Sequence, residues 1–164
     1  TGSHPTTRLC LEALEAMPPH HQRVADLGCG SGVLGLASLA LGASEVLAAD
    51  TDSLAVRATT DNAALNGLKA EQLRVSHGSI DTLATLLNGE EADLLLCNIL
   101  APVIEALAPQ FSSVLKSTGR GLLSGLLVDQ APRLIEVLAE YGWQARPIGE
   151  QGRWGLLEIK RIFR

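Results

Sequence analysis

Three places in this chain carry groups suited to handling a nucleoside-type cofactor. The first is the stretch Val24-Ala25-Asp26-Leu27-Gly28-Cys29-Gly30-Ser31-Gly32. A short apolar run enters glycines and leaves into the apolar pattern of residues 33–41. That order reads as strand, tight turn and helix, where missing Cβ atoms let backbone come close to a ligand. The second is Asp50, 22 residues after Gly28, which ends another apolar run from Val46 to Ala49. A carboxylate there can accept hydrogen bonds from both hydroxyls of a ribose. The third is Asn98, whose carboxamide closes a further apolar run, a position that falls at the ligand-binding carboxyl edge of a parallel sheet.

The surroundings of the glycine turn narrow the cofactor. In a dinucleotide fingerprint the third glycine of GxGxxG would fall at position 33, which is Val33. Asp26 lies two residues before the turn, Asp52 lies two after Asp50, and no Lys or Arg occurs between Arg23 and Arg57. A pyrophosphate requires helix-terminal N–H groups and positive potential, so these carboxylates oppose it. S-adenosylmethionine has no phosphate and carries a sulfonium and an ammonium, and an acid-flanked turn suits it better. Gly28 and Gly30 are then the expected backbone contacts with its methionine half, and Asp50 the ribose acceptor. A dinucleotide and a purely structural turn remain the alternatives. Asp52, directly before Ser53 and a helical pattern, fits a helix cap better than a ligand contact.

Composition limits the partners. A chain of 164 residues is one domain with room for a full core. A net charge of −5 and a pI near 5.3 give no electrostatic footprint for nucleic acid. Cys10, Cys29 and Cys97 lack CxxC spacing and lie in apolar segments, which reads as buried free thiols of a reducing compartment. His4, His20, His21 and His77 are scattered, so no metal is expected. No segment approaches the roughly 18 to 20 uninterrupted apolar residues of a membrane helix, and no signal peptide precedes the fold, so the expected location is cytoplasmic. The chain opens on Thr1-Gly2 without methionine, as a fragment begins, and the expectation is that a domain upstream is missing.

These groups need a scaffold, and the hydrophobic pattern supplies one. Pro5 can open a helix that continues through Leu9, Leu11, Leu14 and Met17 until Pro18-Pro19 ends it. Strands are expected at 23–27, 45–49, 73–77, 93–98, 121–126, 144–149 and 154–160, with helices at 31–41, 53–66, 80–88, 102–115 and 129–141 between the first six. Strands linked by helices require a parallel sheet with right-handed crossovers and helices on both faces. Only Glu150-Gln151-Gly152-Arg153 joins the last two strands, too short for a crossover, so they must form an antiparallel hairpin. The expected fold is α/β and Rossmann-like, a seven-stranded, mostly parallel sheet closed by a C-terminal antiparallel hairpin.

With that layout, the motifs Thr1-Gly2-Ser3-His4-Pro5-Thr6-Thr7, Asp26-Leu27-Gly28-Cys29-Gly30-Ser31-Gly32, Asp50-Thr51-Asp52-Ser53-Leu54-Ala55-Val56, Asn62-Ala63-Ala64-Leu65-Asn66-Gly67 and Asn98-Ile99-Leu100-Ala101 resemble the ribosomal protein L11 methyltransferase family. The similarity runs the length of the chain, so residues 1–164 correspond to that family's catalytic domain. The resemblance implies S-adenosylmethionine-dependent methylation of lysine or α-amino groups of ribosomal protein L11, repeatedly on the same nitrogen. It also implies an N-terminal substrate-recognition domain that is not in this sequence, which puts independent docking of the ribosomal protein in doubt. Ser3 and Thr51 replace the Thr and Ile usual in the family, small changes that should spare cofactor binding.

The resemblance raises Thr7 from a helix-surface residue to a cofactor contact. Fold and family together place the adenine beside Ser79 and Ile80, where a polar and an apolar group could bracket the ring, although an ordinary Gly-Ser turn explains them nearly as well. Asn98 is expected both to touch the cofactor and to act in catalysis. A neutral amine must offer its lone pair in line with the methyl–sulfur bond, and a carboxamide oxygen can accept its N–H and aim it. The chain has Asn98-Ile99-Leu100-Ala101 rather than the Asn/Asp-Pro-Pro-Tyr of enzymes that stack planar substrates, which favours a flexible amine. No strong base is apparent, so rate would come from positioning, with the amine losing its proton to water. The alternatives are a methyltransferase of the same fold acting on another protein, a small molecule or nucleic acid, and a cofactor-binding fragment without activity.

Overall fold

The computed structural model describes residues 4–163; Thr1, Gly2 and Ser3 of the opening motif, and Arg164, lie outside the described residues. Helix α1 (Pro5–Ala16) starts at Pro5, whose missing N–H costs nothing there, and His4 Nδ1 caps it by accepting from the Thr6 amide at 3.2 Å. Strand and helix then alternate: β1 (Arg23–Leu27), α2 (Val33–Ala40), β2 (Glu45–Asp50), α3 (Ser53–Leu65), β3 (Leu73–His77), α4 (Ile80–Leu87), β4 (Ala92–Asn98) and α5 (Ala101–Leu107). They are followed by β5 (Leu115–Leu127), α6 (Ala131–Glu140), β6 (Trp143–Gln151) and β7 (Trp154–Arg161).

The strands form one seven-stranded sheet in the order β3-β2-β1-β4-β5-β7-β6. The first five are parallel, while β7 runs antiparallel to both β5 and β6. Successive side chains of a strand point to opposite faces, and here both faces are covered. Leu95 and Cys97 of β4 join Leu47 and Ala49 under α4, α5 and α6; Leu94 and Leu96 join Val24 and Val46 under α1, α2 and α3. This is why the central strands read as nearly continuous apolar runs. From β1 the chain winds outward one way through β2 and β3, then returns to continue the other way through β4. The carboxyl ends of β1, β2 and β4 therefore flank the switch point, the favoured ligand position of such sheets.

The helix expected at 102–115 is corrected. It ends at Leu107, the chain tightens into a 3₁₀ segment at Ala108–Ser113, and Leu115 already belongs to β5. Pro109 has no N–H to continue the α-helical ladder. Strand β5 also starts six residues before the expected position: Leu115 pairs with Ala92, then the register jumps so that Arg120 pairs with Leu94. The intervening Lys116-Ser117-Thr118-Gly119 bulges out of the ladder, and its polar composition hides the early strand. No described helix is long and apolar enough to cross a membrane.

Candidate active site

The turn after β1 is held from three sides. Gly28 and Cys29 both donate their amides to the Ala49 carbonyl, at 2.9 and 3.1 Å. From α3, Thr59 Oγ1 donates to the Gly30 carbonyl at 2.9 Å and Asn62 Nδ2 donates to the Ser31 carbonyl at 2.8 Å. The third hold is Asp50. Its Oδ2 accepts from the Gly30 amide at 3.0 Å and its Oδ1 from the Asp52 amide at 2.9 Å. The Asp50 carbonyl in turn accepts from the Gly78 amide at 2.9 Å. A carboxylate offers about four acceptor sites, so both oxygens retain capacity for donors on a ligand. Asp52 caps α3 by accepting from the Leu54 amide at 2.9 Å.

Two glycines of the turn have different reasons to be glycine. Gly28 sits at φ +75°, and a Cβ there would lie 2.4 Å from Ile99 Cγ2. Packing alone excludes any side chain. Gly30 sits at φ +56° with nothing within 4 Å of a Cβ. Its open side is where a ligand could approach the backbone.

Gly28, Gly30, Asp50, Ser79 and Asn98 converge on one cavity of about 320 Å³, walled on its apolar side by Leu27, Ile99, Val103 and Leu107. No Lys or Arg lines it. A larger groove of about 500 Å³ runs beside the hairpin, lined by residues such as Val128, Pro132, Ile135 and Ile148. It collects none of these polar groups, and the chemistry assigns the site to the smaller cavity.

Two expected site residues, Ile80 and Thr7, are not on the cavity lining. The Ile80 side chain is only 2% exposed and packs in the core with Leu83 and Leu87, so it does not wall the cavity. As the first residue of α4 it belongs to that helix's apolar face. Thr7 is buried behind the site, its Oγ1 3.5 Å from Asn98 Nδ2. Thr59, Asn62 and Ser124, which sequence reasoning had given no part in the site, prove to hold it. Thr59 and Asn62 lie three apart on one helical face, a legible signal; Ser124 meets Asn98 only through strand pairing.

Asp26 is the unusual carboxylate. It is 1% exposed on the α1–α2–α3 face of the sheet, and its Oδ2 has no hydrogen-bond partner. Burial, and next the nearby charge of Asp50, push its pKa up to about 7, with partial relief from the Gly35 amide. The three cysteines are buried and free. Burial holds the Cys29 thiol up at about 12 and the Cys10 thiol at about 11, and raises that of Cys97 as well. Among the described residues no cluster of three metal-ligating side chains forms.

A doubly covered parallel sheet, closed by a hairpin and carrying a glycine turn and ribose-type acid at its switch point, defines a Rossmann-like methyltransferase fold. The sequence profile described as ribosomal protein L11 methyltransferase (PrmA) matches residues 1–162, and the chain belongs to that family. A curated ribosomal protein L11 methyltransferase of Parasynechococcus marenigrum is 70% identical over 98% of this chain and 56% of its own. The chain thus spans about half the length of the curated relatives it matches. The crystal structure of a ribosomal protein L11 methylase from Lactobacillus delbrueckii subsp. bulgaricus superposes with a TM-score of 0.86 at 35% identity, covering 99% of this chain and 81% of that one. A putative methyltransferase complexed with SAH shares the fold, with a TM-score of 0.74 at 14% identity over 98% of this chain and 50% of that one.

Two outcomes follow from this geometry. Gly28→Ala should destabilise the fold by about 2 kcal/mol or more through strain and overpacking, whereas Gly30→Ala should cost about 1 kcal/mol through strain alone. Thermal melts of the two variants check the contrast, and equal losses would contradict it. For Asp26 the folded pKa lies above the ordinary value of 3.8, so the native state holds the proton more tightly than the unfolded chain. Its contribution to stability is therefore greatest below about pH 4 and falls as pH rises toward about 7. Asp26→Asn should flatten the decline of stability between pH 5 and 7, read by urea denaturation at each pH. An unchanged slope would refute the buried, weakly satisfied carboxylate.

Proposed function

We propose that residues 1–164 are a catalytic unit that binds S-adenosylmethionine and methylates lysine or α-amino groups of ribosomal protein L11. The observation that carries this reading is a cavity with Asp50 and Asn98 on its lining and no basic side chain. The residues present fit the cofactor. Asp50 has spare acceptor capacity for ribose hydroxyls, Gly30 leaves backbone open, and Ser79 with the apolar wall of Val103 and Leu107 suits a purine. A pyrophosphate would meet a carboxylate without a compensating cation. The structural relative complexed with SAH and the names of the family's members support the same cofactor and substrate.

When bound, S-adenosylmethionine supplies a methyl group activated by its sulfonium. The chain's own task is placement. Asn98 Oδ1 accepts one hydrogen bond from Ser124 and keeps a second lone pair that an incoming amine N–H could use. Val103 on the cavity wall is exposed, and so is Leu100, two residues after Asn98; both could cover the methylene stem of a lysine. The amine's proton leaves to water, and the rate comes from alignment. A ribosomal protein substrate supports a cytoplasmic setting for this work.

Calorimetry with S-adenosylhomocysteine and with NAD tests the cofactor: the first should bind and the second should not. Binding of NAD alone overturns the reading. Asp50→Ala should weaken S-adenosylhomocysteine by about 1.5–3 kcal/mol, the usual worth of hydrogen bonds to a charged group. Asp52→Ala should leave affinity nearly unchanged and act on α3 instead; equal losses would misplace the ribose. Asn98→Ala should lower turnover on ribosomal protein L11 far more than affinity for it, and normal turnover at saturation would remove Asn98 from the chemistry.

A further inference from the structure

We propose that Ser124 is a positioning residue that fixes which way the Asn98 carboxamide faces, and that the Cys10 thiol behind it sets the direction of its hydroxyl. The inference rests on the methyl-transfer reading for its consequence, though not for its geometry. Ser124 lies on β5 directly opposite Asn98 on β4 and is fully buried. Its Oγ donates to Asn98 Oδ1 at 3.0 Å, and Cys10 Sγ of α1 lies 3.1 Å from the same Oγ. The Ser124 carbonyl also accepts from the Ile99 amide at 3.2 Å, which pins the backbone after Asn98.

A hydroxyl has one proton to give. The buried Cys10 keeps its own proton, since burial opposes the thiolate, so its S–H can donate to Ser124 Oγ. The serine proton is then free for Asn98. This sets the carboxamide with oxygen toward Ser124 and nitrogen toward Thr7 Oγ1, 3.5 Å away. A flipped carboxamide would exchange acceptor and donor at almost the same shape. It would present an N–H where the amine needs a lone pair, and Ser124, accepting from it, would have to turn its own proton to Cys10 Sγ, a weak acceptor. The relay through three elements therefore selects the useful orientation of Asn98 without touching cofactor or substrate.

The test uses the ¹⁵N-labelled chain. The side-chain amide pair of Asn98 is assigned by its disappearance in Asn98→Ala. In Ser124→Ala this pair should shift toward the positions of an unconstrained asparagine amide as the flip becomes free, while the remaining spectrum persists. Affinity for S-adenosylhomocysteine should change less than about threefold, and turnover on ribosomal protein L11 at saturation should fall on the order of tenfold or more. Ser124→Thr, which keeps the hydroxyl, should restore the amide pair. The double variant Ser124→Ala/Asn98→Ala should be no slower than Asn98→Ala alone, because the serine acts through the asparagine. An unmoved Asn98 pair, or additive losses in the double variant, overturns the proposal. Should the unaltered chain neither bind S-adenosylhomocysteine nor transfer methyl groups, the functional reading fails separately, and the amide pair decides the role of Ser124 on its own.

Discussion

The Asp50 carboxyl group holds together the loops that make the cavity. One oxygen fastens the glycine turn after β1 and the other fastens the start of the segment leading to α3, while its carbonyl fastens Gly78 after β3. Hydrogen bonds from backbone amides to a carboxylate are stronger than neutral ones and keep their geometry. Three separate chain reversals at one sheet edge thus share a single residue, and their relative positions follow from it. The same residue lines the cavity and keeps unused acceptor sites there, so one carboxylate serves both the brace and the cavity wall.

That arrangement has an electrostatic cost. Asp50 faces a ligand cavity without a Lys or Arg, and the charge it keeps there raises the proton affinity of Asp26, buried one strand away. A carboxylate on a cavity without cations repels anionic ligands and favours cationic ones. A phosphate-bearing ligand would set a further negative group beside Asp50 with nothing to offset it. A negative potential of this kind is a property of the whole site rather than of the glycines, which many nucleotide-binding turns share.

The elements nearest the site were the most legible in the sequence, because both local signals and tertiary packing agree there. Strands β1 and β3 fall at the expected residues, Asp52 caps α3 as expected, and the hairpin of β6 and β7 follows from a linker too short to cross the sheet. Divergence begins where one signal conceals another. The apolar run through residues 102–115 looks helical until Pro109 denies it an amide, and the polar bulge at 116–119 disguises the start of β5. Ile80 was legible as the start of α4 but not as a core residue, since the direction of a first-turn side chain depends on how α4 docks. Ser124 was not legible at all, because only the register between β4 and β5 brings it to Asn98.

The polar contacts around Asn98 account for two buried polar groups of α1, Thr7 and Cys10, while Thr6 pairs with His4. This helix buries Thr6, Thr7 and Cys10 beside Leu9 and Leu14, an odd choice for a surface helix that could have packed with aliphatic side chains alone. Buried polar groups contribute little net stability even when fully paired, and an aliphatic face would serve packing as well or better. What they add is a defined orientation, because hydrogen bonds discriminate between positions that hydrophobic contact treats alike. Thr7 and Cys10 reach Asn98 from one side of the sheet, directly and through Ser124, while Ile99 beside it closes over Gly28. Asn98 is thus held by contacts from α1, from β5 and from its own strand end, although α1 itself places no residue on the cavity lining.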